Sequence, residues 1–276
     1  MRELKILAVD SSSVAATACI WENGFLVGEY FLNTKLTHSQ TIMEMVQSLC
    51  KESEVDISDI DVFASAIGPG SFTGLRIGIA AVKGMALGAG GKFTKNIEGK
   101  ETEYSGRPCV GVSTLEGLAE NMEGFDGIIC PVMDARCNQV YTAVFEGMDG
   151  KVIRIYEDSA ISIDDLYEVL KKYENKRIYF VGDGAKLCME KLGIKFKDVK
   201  IAPEAIRYSR ASSIAKVAEK IAENKDNLIP TGELIPAYIR LPQAERELKK
   251  KLADKYNLEK GNKENLSINP VKGIIK

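Results

Sequence analysis

Between Gly74 and Gly88 the chain carries only two charged side chains, Arg76 and Lys83, so a helix over this stretch presents apolar atoms or bare backbone nearly all round. One sheet covers one face of a helix, and such a helix needs further partners. The stretch follows an apolar run at 62–67 and the loop Gly68-Pro-Gly-Ser-Phe-Thr-Gly74. In that loop Gly68, Pro69 and Gly70 make a stiff turn, and Ser71 or Thr73 can cap a helix running from about Thr73 to Ala89. Gly78 and Gly84 lie in the helix interior, each costing roughly 1 kcal/mol relative to alanine. Gly74, Gly78, Ala81 and Gly88 form a row of small residues at helical spacing. The row admits two readings, tight packing on the chain's own sheet or close approach of a helix from another protein. The preceding helix, 39–52, is also broadly apolar: Ile42, Met43, Met45, Val46, Leu49 and Cys50 span an arc wider than one sheet-facing stripe. Together the two helices make a candidate protein interface, with Ile42, Met45, Val46, Leu49, Gly74, Ile77, Gly78, Ala81, Gly84 and Met85 as its residues.

The elements on either side predict the fold class. Strands at 4–9, 15–21 and 25–32, with Glu22-Asn-Gly24 as a hairpin turn, precede the 39–52 helix; a buried strand at 62–67, the 73–89 helix and a strand at 108–112 follow. Ser113-Thr-Leu-Glu116 has the form of a capping box opening a further helix. The second half restarts with strands at 127–133, 139–145 and 152–156, a helix at 164–173, a strand at 178–181 and a helix at 209–223. This is an α/β pattern of mixed sheets flanked by helices, with a first lobe over 1–112 and a second over 113–242, the 209–223 helix returning to the first lobe. Two segments fall outside it. Residues 90–107 are glycine-rich and charged, with almost nothing apolar to bury, and read as a mobile polar insertion; residues 243–276 form a lysine-rich tail.

Much chemistry is excluded by residue count. His38 is the single histidine, so a His-x-x-x-His metal pair cannot form, and no cysteine cluster replaces it. The dinucleotide fingerprint fails because Thr73 stands where a glycine is needed, and a Walker loop fails because Lys83 comes too late. The start of the 73–89 helix remains a candidate anion site. Asp10-Ser-Ser-Ser13, where the first strand turns into a hairpin, is a candidate phosphate or nucleotide contact through Asp10, Ser12 and Ser13, with Asp134 at the corresponding strand end of the second half. Ordinary Asp/Ser turn chemistry explains these residues equally well. The net charge of −2 provides no basic field for holding nucleic acid unaided. Six scattered cysteines without a C-x-x-C pair, and no long apolar segment, suit a reduced, cytoplasmic protein without a membrane span.

The stretches AVDSSS at 8–13, IGPGSFTGLRIGIAAVKGMA at 67–86, GVSTLEGLA at 111–119, PVMDARCNQVYTAVF at 131–145 and PAYIR followed by QAERE at 236–247 resemble the TsaB (YeaZ) family over nearly the whole chain. The resemblance implies the two-lobed actin-like ATPase (ribonuclease H-like) fold. It implies a non-catalytic scaffold that dimerises, through helices matching 39–52 and 73–89, with the paralogue TsaD, in the machinery making N6-threonylcarbamoyladenosine at position 37 of tRNAs that read codons beginning with A. The ATPase TsaE and tRNA join through that complex, a homodimer forms in the absence of TsaD, and the chain has no intrinsic cofactor, ATP or ADP with magnesium entering only at a complex interface. An actin-fold ATPase or phosphotransferase acting alone is the alternative reading, and a metallopeptidase a weaker one. The 90–107 insertion and the long lysine-rich tail depart from the family pattern.

Overall fold

The computed structural model describes residues 4–34, 36–97 and 99–240; the lysine-rich tail expected at 243–276 and the QAERE stretch lie outside them. The chain begins with β1 (Lys5–Asp10), β2 (Ala16–Glu22) and β3 (Phe25–Leu32), a consecutive antiparallel ribbon. Then come α1 (His38–Glu52), β4 (Val62–Gly68) and α2 (Phe72–Gly88). A two-stranded hairpin of β5 (Lys92–Ile97) and β6 (Lys100–Ser105) leads to β7 (Cys109–Ser113) and α3 (Thr114–Glu120). The second ribbon is β8 (Gly127–Asp134), β9 (Gln139–Met148) and β10 (Lys151–Ser162). It is followed by α4 (Ile163–Lys171), β11 (Ile178–Val181), α5 (Ala185–Leu192), β12 (Val199–Ile201), α6 (Glu204–Arg207) and α7 (Ala211–Ala222).

The two halves repeat one topology. The first sheet runs β3-β2-β1-β4-β7 and the second β10-β9-β8-β11-β12, each an antiparallel ribbon extended by two parallel strands. Alternation along the central strands sends side chains to two cores. In β1, Leu7 and Val9 meet Ile42, Met45 and Val46 of α1 and Ile79, Val82 and Met85 of α2. Ile6 and Ala8 point the other way, to Ile214, Ala215 and Ala218 of α7. The second sheet is covered by α4 and α5 on one face and by α3 on the other.

Helix α7 therefore belongs to the second half of the chain but packs on the first sheet. Its N-cap, Arg210, makes no side-chain cap bond, and the cap comes from the sheet. Glu29 of β3 accepts from the Ser212 amide (3.0 Å) and hydroxyl (3.1 Å) and from Arg210 (2.7 Å), while Thr17 of β2 accepts from the Ala211 amide (3.2 Å). Glu29 keeps only 4% of its side chain exposed, so its charge is matched by this set of donors.

Three sequence expectations need correction. The 90–107 segment is not a bare polar excursion: it pairs Phe93 with Tyr104 across the β5–β6 hairpin, docks Phe93 on the α7-side core and sends Lys95 to the Leu228 carbonyl at 2.8 Å. One half-buried aromatic side chain and a lysine anchor fix a hairpin whose outer face stays polar. The Ser113 box is only half formed. The Ser113 hydroxyl accepts from the Glu116 amide at 3.3 Å, but the Glu116 carboxylate turns to Arg154 of β10 at 3.2 Å, because a charged partner outcompetes a backbone amide. Strand β10 extends to Ser162 through a register shift at Tyr156–Ser159, beyond the 152–156 run that its apolar residues mark.

Removing the shared cap should expose its weight. Glu29→Ala is expected to destabilise the fold by about 3 kcal/mol by leaving Arg210 and the α7 amides unmatched. Glu29→Gln, which keeps one acceptor, should cost less, and urea denaturation of both variants measures the difference.

Candidate partner-docking site

Helix α2 is engaged on three sides, and each side is set by particular residues. Toward the sheet it buries Leu75, Ile79, Val82 and Ala86. At its start Ser71 caps the helix by accepting from the Gly74 amide at 3.2 Å. The Ser71 amide in turn donates to the Ser12 carbonyl (2.6 Å), and the Ser11 hydroxyl donates to the Gly74 carbonyl (2.8 Å). A Cβ on Gly74 would overlap the Ser11 carbonyl oxygen, and one on Gly78 would overlap the Ser11 hydroxyl. These two glycines therefore exist for the chain's own Asp10–Ser13 loop. The anion cradle suggested at the helix start has one of its free amides already bonded to Ser12.

On the next side lie both charges of the helix. Lys83 Nζ donates to the carbonyls of Gly232 (2.9 Å) and Leu234 (3.3 Å), and Arg76 Nε donates to the Tyr238 hydroxyl (2.9 Å). They hold the 228–238 segment, which makes a 3-10 turn at Thr231–Glu233, pairs Ile229 with Cys109 and bonds the Ala237 amide to the Ile67 carbonyl at 2.8 Å.

The remaining side is open. Between α1 and α2 lies an apolar groove of about 510 Å³ lined by Met43, Val46, Gln47, Cys50, Ile57, Ala80, Ala81, Gly84, Met85 and Gly88. Nothing lies within 4 Å of where a Cβ on Gly84 or Gly88 would stand. The ten residues expected to form the interface thus divide. Val46, Ala81, Gly84 and Met85 line the groove. Ile42, Met45 and Leu49 are buried in the first core or against Gly28, and Gly74 and Gly78 are filled by the Ser11 loop. Ile77 is half-buried and lines no part of the groove. The correction has a simple cause: Ile42, Met45, Val46 and Leu49 are the i, i+3, i+4, i+7 stripe of α1, which the sheet claims first. Six groove residues lie outside the expected ten: Met43 and Cys50, which the sequence marks only as part of the broad apolar arc of α1, and Gln47, Ile57, Ala80 and Gly88. On α1, Met43 and Gln47 sit one position past Ile42 and Val46 of the stripe, which was a readable signal.

The polar candidates fall into two separate places. Asp10 is buried; its Oδ1 accepts from the Ser12 amide at 2.7 Å, while Oδ2 and the hydroxyls of Ser12, Ser13 and Ser209 have no hydrogen-bond partner of good geometry. Burial pushes the Asp10 carboxyl above the usual carboxylate range, opposed in part by the neighbouring Ser12 and Ser209 and by His38. His38, at the start of α1, meets the Ser13 carbonyl through Nε2 at 2.8 Å. Asp134 is not joined to this cluster: it accepts from the Arg136 amide at 2.8 Å and donates its own amide to Asp183 at 3.1 Å. Its loop turns through left-handed Arg136, Cys137 and Asn138. Among the described residues no three His, Cys, Asp or Glu side chains gather as a metal set, and no helix is long and apolar enough to cross a membrane. Burial pushes Cys109 up to about 11 and Cys130 up to about 12, so neither is a thiolate at neutral pH.

Two outcomes follow from this geometry. Gly74→Ala is expected to destabilise the chain by roughly 1–3 kcal/mol through overpacking, whereas Gly84→Ala, facing open space, should stabilise it by about 0.5–1 kcal/mol; denaturation midpoints separate them. For Asp10 a folded pKa above the unfolded value means that the native state binds more protons, so stability falls as pH rises from 3.8 through the raised value. Asp10→Asn should therefore melt higher than the parent at neutral pH, with the gap closing in acid, as thermal scans across pH would record.

Comparison with known proteins agrees with this architecture. A family model described as TsaD, tRNA N6-adenosine threonylcarbamoyltransferase, matches residues 32–94 and 103–248, its gap falling within the β5–β6 hairpin. The tRNA threonylcarbamoyladenosine biosynthesis protein TsaB of Bacillus subtilis (strain 168) is 30% identical over 246 residues, covering 88% of this chain and 96% of its own. The TsaB protein of Escherichia coli (strain K12) is 34% identical over 145 residues, 52% of this chain and 55% of its own. The crystal structure of YeaZ from Pseudomonas aeruginosa shares the fold, with a TM-score of 0.66 at 20% identity over 85% of this chain and 99% of that one. With a near full-length TsaB relative and a family model over most of its length, the chain belongs to the TsaB (YeaZ) family.

Proposed function

We propose that this chain serves tRNA N6-threonylcarbamoyladenosine biosynthesis as a non-catalytic scaffold that dimerises with a TsaD paralogue and activates it for transfer to adenosine 37 of tRNAs reading ANN codons. The names of its TsaB relatives and the match to the TsaD model support the pathway and the partner. The observation that carries the docking role is the open groove between α1 and α2, where Gly84 and Gly88 leave backbone bare beside Met43, Val46 and Met85. A helix from a partner can approach such a strip closely and bury the methionines, which adapt to an imperfect surface. TsaE and tRNA join through the assembled complex, and a second copy of the chain takes the groove when TsaD is absent.

One observation favours a nucleotide at the complex interface. The Asp10 carboxylate and the Ser12 and Ser13 hydroxyls have buried atoms without partners, and these groups fit a phosphate and its magnesium. Asp10, Ser12 and Ser13 would hold it, and the metal would neutralise phosphate charge. The fit is partial, since Asp134 is engaged elsewhere and the Ser71 amide is bonded to Ser12. An ATPase acting alone therefore has less support than a scaffold.

Reconstitution with TsaD, TsaE and tRNA tests the reading: modification is expected to require this chain, and modification at full rate without it would refute the proposal. Gly84→Trp should abolish co-elution with TsaD, weakening the complex at least roughly tenfold, while far-UV circular dichroism stays unchanged.

A further inference from the structure

We infer that the docking surface continues past the groove onto the segment held by α2, and that Arg76 is its charged anchor, pairing with a carboxylate on a helix of the TsaD partner. The inference rests on the docking reading above. Its first support is continuity. Ala80 lines both the groove and a second cavity of about 470 Å³ whose walls include Arg76, Lys83, Ile235 and Tyr238, so one helical ridge separates two parts of a single apolar surface. Ile235 is 67% exposed and Tyr238 42%, which extends that surface outward.

The second support is how Arg76 is held. Its guanidinium lies 3.9 Å over the Phe72 ring, Phe72 stacks on Tyr238 with centroids 4.7 Å apart, and Nε donates to the Tyr238 hydroxyl at 2.9 Å. The ring pair and the hydrogen bond fix the plane of the fork and remove most of the freedom an exposed arginine would otherwise lose on binding. Among the described residues the two terminal nitrogens have no partner, and Arg76 forms no ion pair. Lys83, the other charge of the helix, is different: it is tied to the backbone carbonyls of 232 and 234 of the chain's own segment. With Nε engaged, the end-on edge formed by the two terminal nitrogens is the one left, among the described residues, to meet a carboxylate bidentately. Helix α2 has no acid in its first turn to compete for it. The complementary ligand is a helix with a small-residue or apolar face, which enters the groove, and an Asp or Glu at its edge.

The experiment measures affinity of purified TsaD from the same genome for the parent chain, Arg76→Gln, Tyr238→Phe and Gly84→Trp, at low and high salt, with circular dichroism to confirm folding. Arg76→Gln is expected to weaken binding roughly tenfold or more and to flatten its salt dependence. Tyr238→Phe, which keeps the charge but loosens the fork, should fall between. Arg76→Glu should be rescued by reversing one acidic residue on TsaD. Binding of Arg76→Gln within twofold of the parent, while Gly84→Trp fails to bind, would overturn the anchor and leave the docking reading standing. Unchanged binding of both would sink the docking reading itself. If Arg76→Gln altered only self-association or only tRNA retention by the complex, the carboxylate would not be on TsaD and the inference would be wrong.

Discussion

The Ser11 main chain and hydroxyl stand where side chains at positions 74 and 78 would project, and the placement of α2 with its open side outward depends on that approach. Because both positions are glycine, the Asp10–Ser13 loop lies directly on α2, with the Ser11 hydroxyl on the Gly74 carbonyl and the Ser71 amide on the Ser12 carbonyl. The loop thereby seats α2 against β4 and β1 with its next small residues, Ala81, Gly84 and Gly88, turned outward. A helix that must accept a loop on one face and leave another bare cannot carry large side chains on either. Its near-absence of charge is the consequence, and its two exceptions serve the segment that closes its third side.

The second constraint is the exchange between the halves. Each sheet has the same strand order, yet α7 leaves the second half to cover the first sheet, held by Glu29 and Thr17 at its N-terminus and by Glu219 bonded to the Trp21 indole. The α3 helix joins it through Lys216 and Lys220, which meet Glu120 at 3.2 and 2.9 Å. The two sheets are thus tied through α7 and α3, and the groove, on the opposite face of the first sheet, stays clear of these ties. The β5–β6 hairpin is rooted on the same side as α7, through Phe93 and Lys95.

Most of the fold was legible because its signals are local. The apolar run of β1, the Asn23-Gly24 turn and the helical stripe of α1 each place a backbone within a few residues of where it lies. Misses occurred where a distant partner decided. Glu116 left its capping box for Arg154, and the polar 92–105 stretch became a hairpin because Phe93 found, beside Leu4, Ile221 and Ala222, the rim of the core under α7. Strand β12, three residues long, is too short to show a period.

The site divides along the same line. By itself the sequence determined that α2 must be surrounded, that one histidine cannot build a metal pair and that the 68–74 loop is neither of the familiar phosphate loops, since residue types and spacings decide these. It left open which glycines are filled by the chain itself and which stay exposed. Only the tertiary structure decided that Gly74 and Gly78 receive Ser11 while Gly84 and Gly88 remain bare, and that Arg76 is stacked on Phe72 and bonded through Nε to Tyr238 while Lys83 is held by two backbone carbonyls. The physical reason is that a helical row fixes only a direction around the axis, whereas what fills that direction comes from residues more than sixty positions away, at Ser11 and at Gly232–Tyr238.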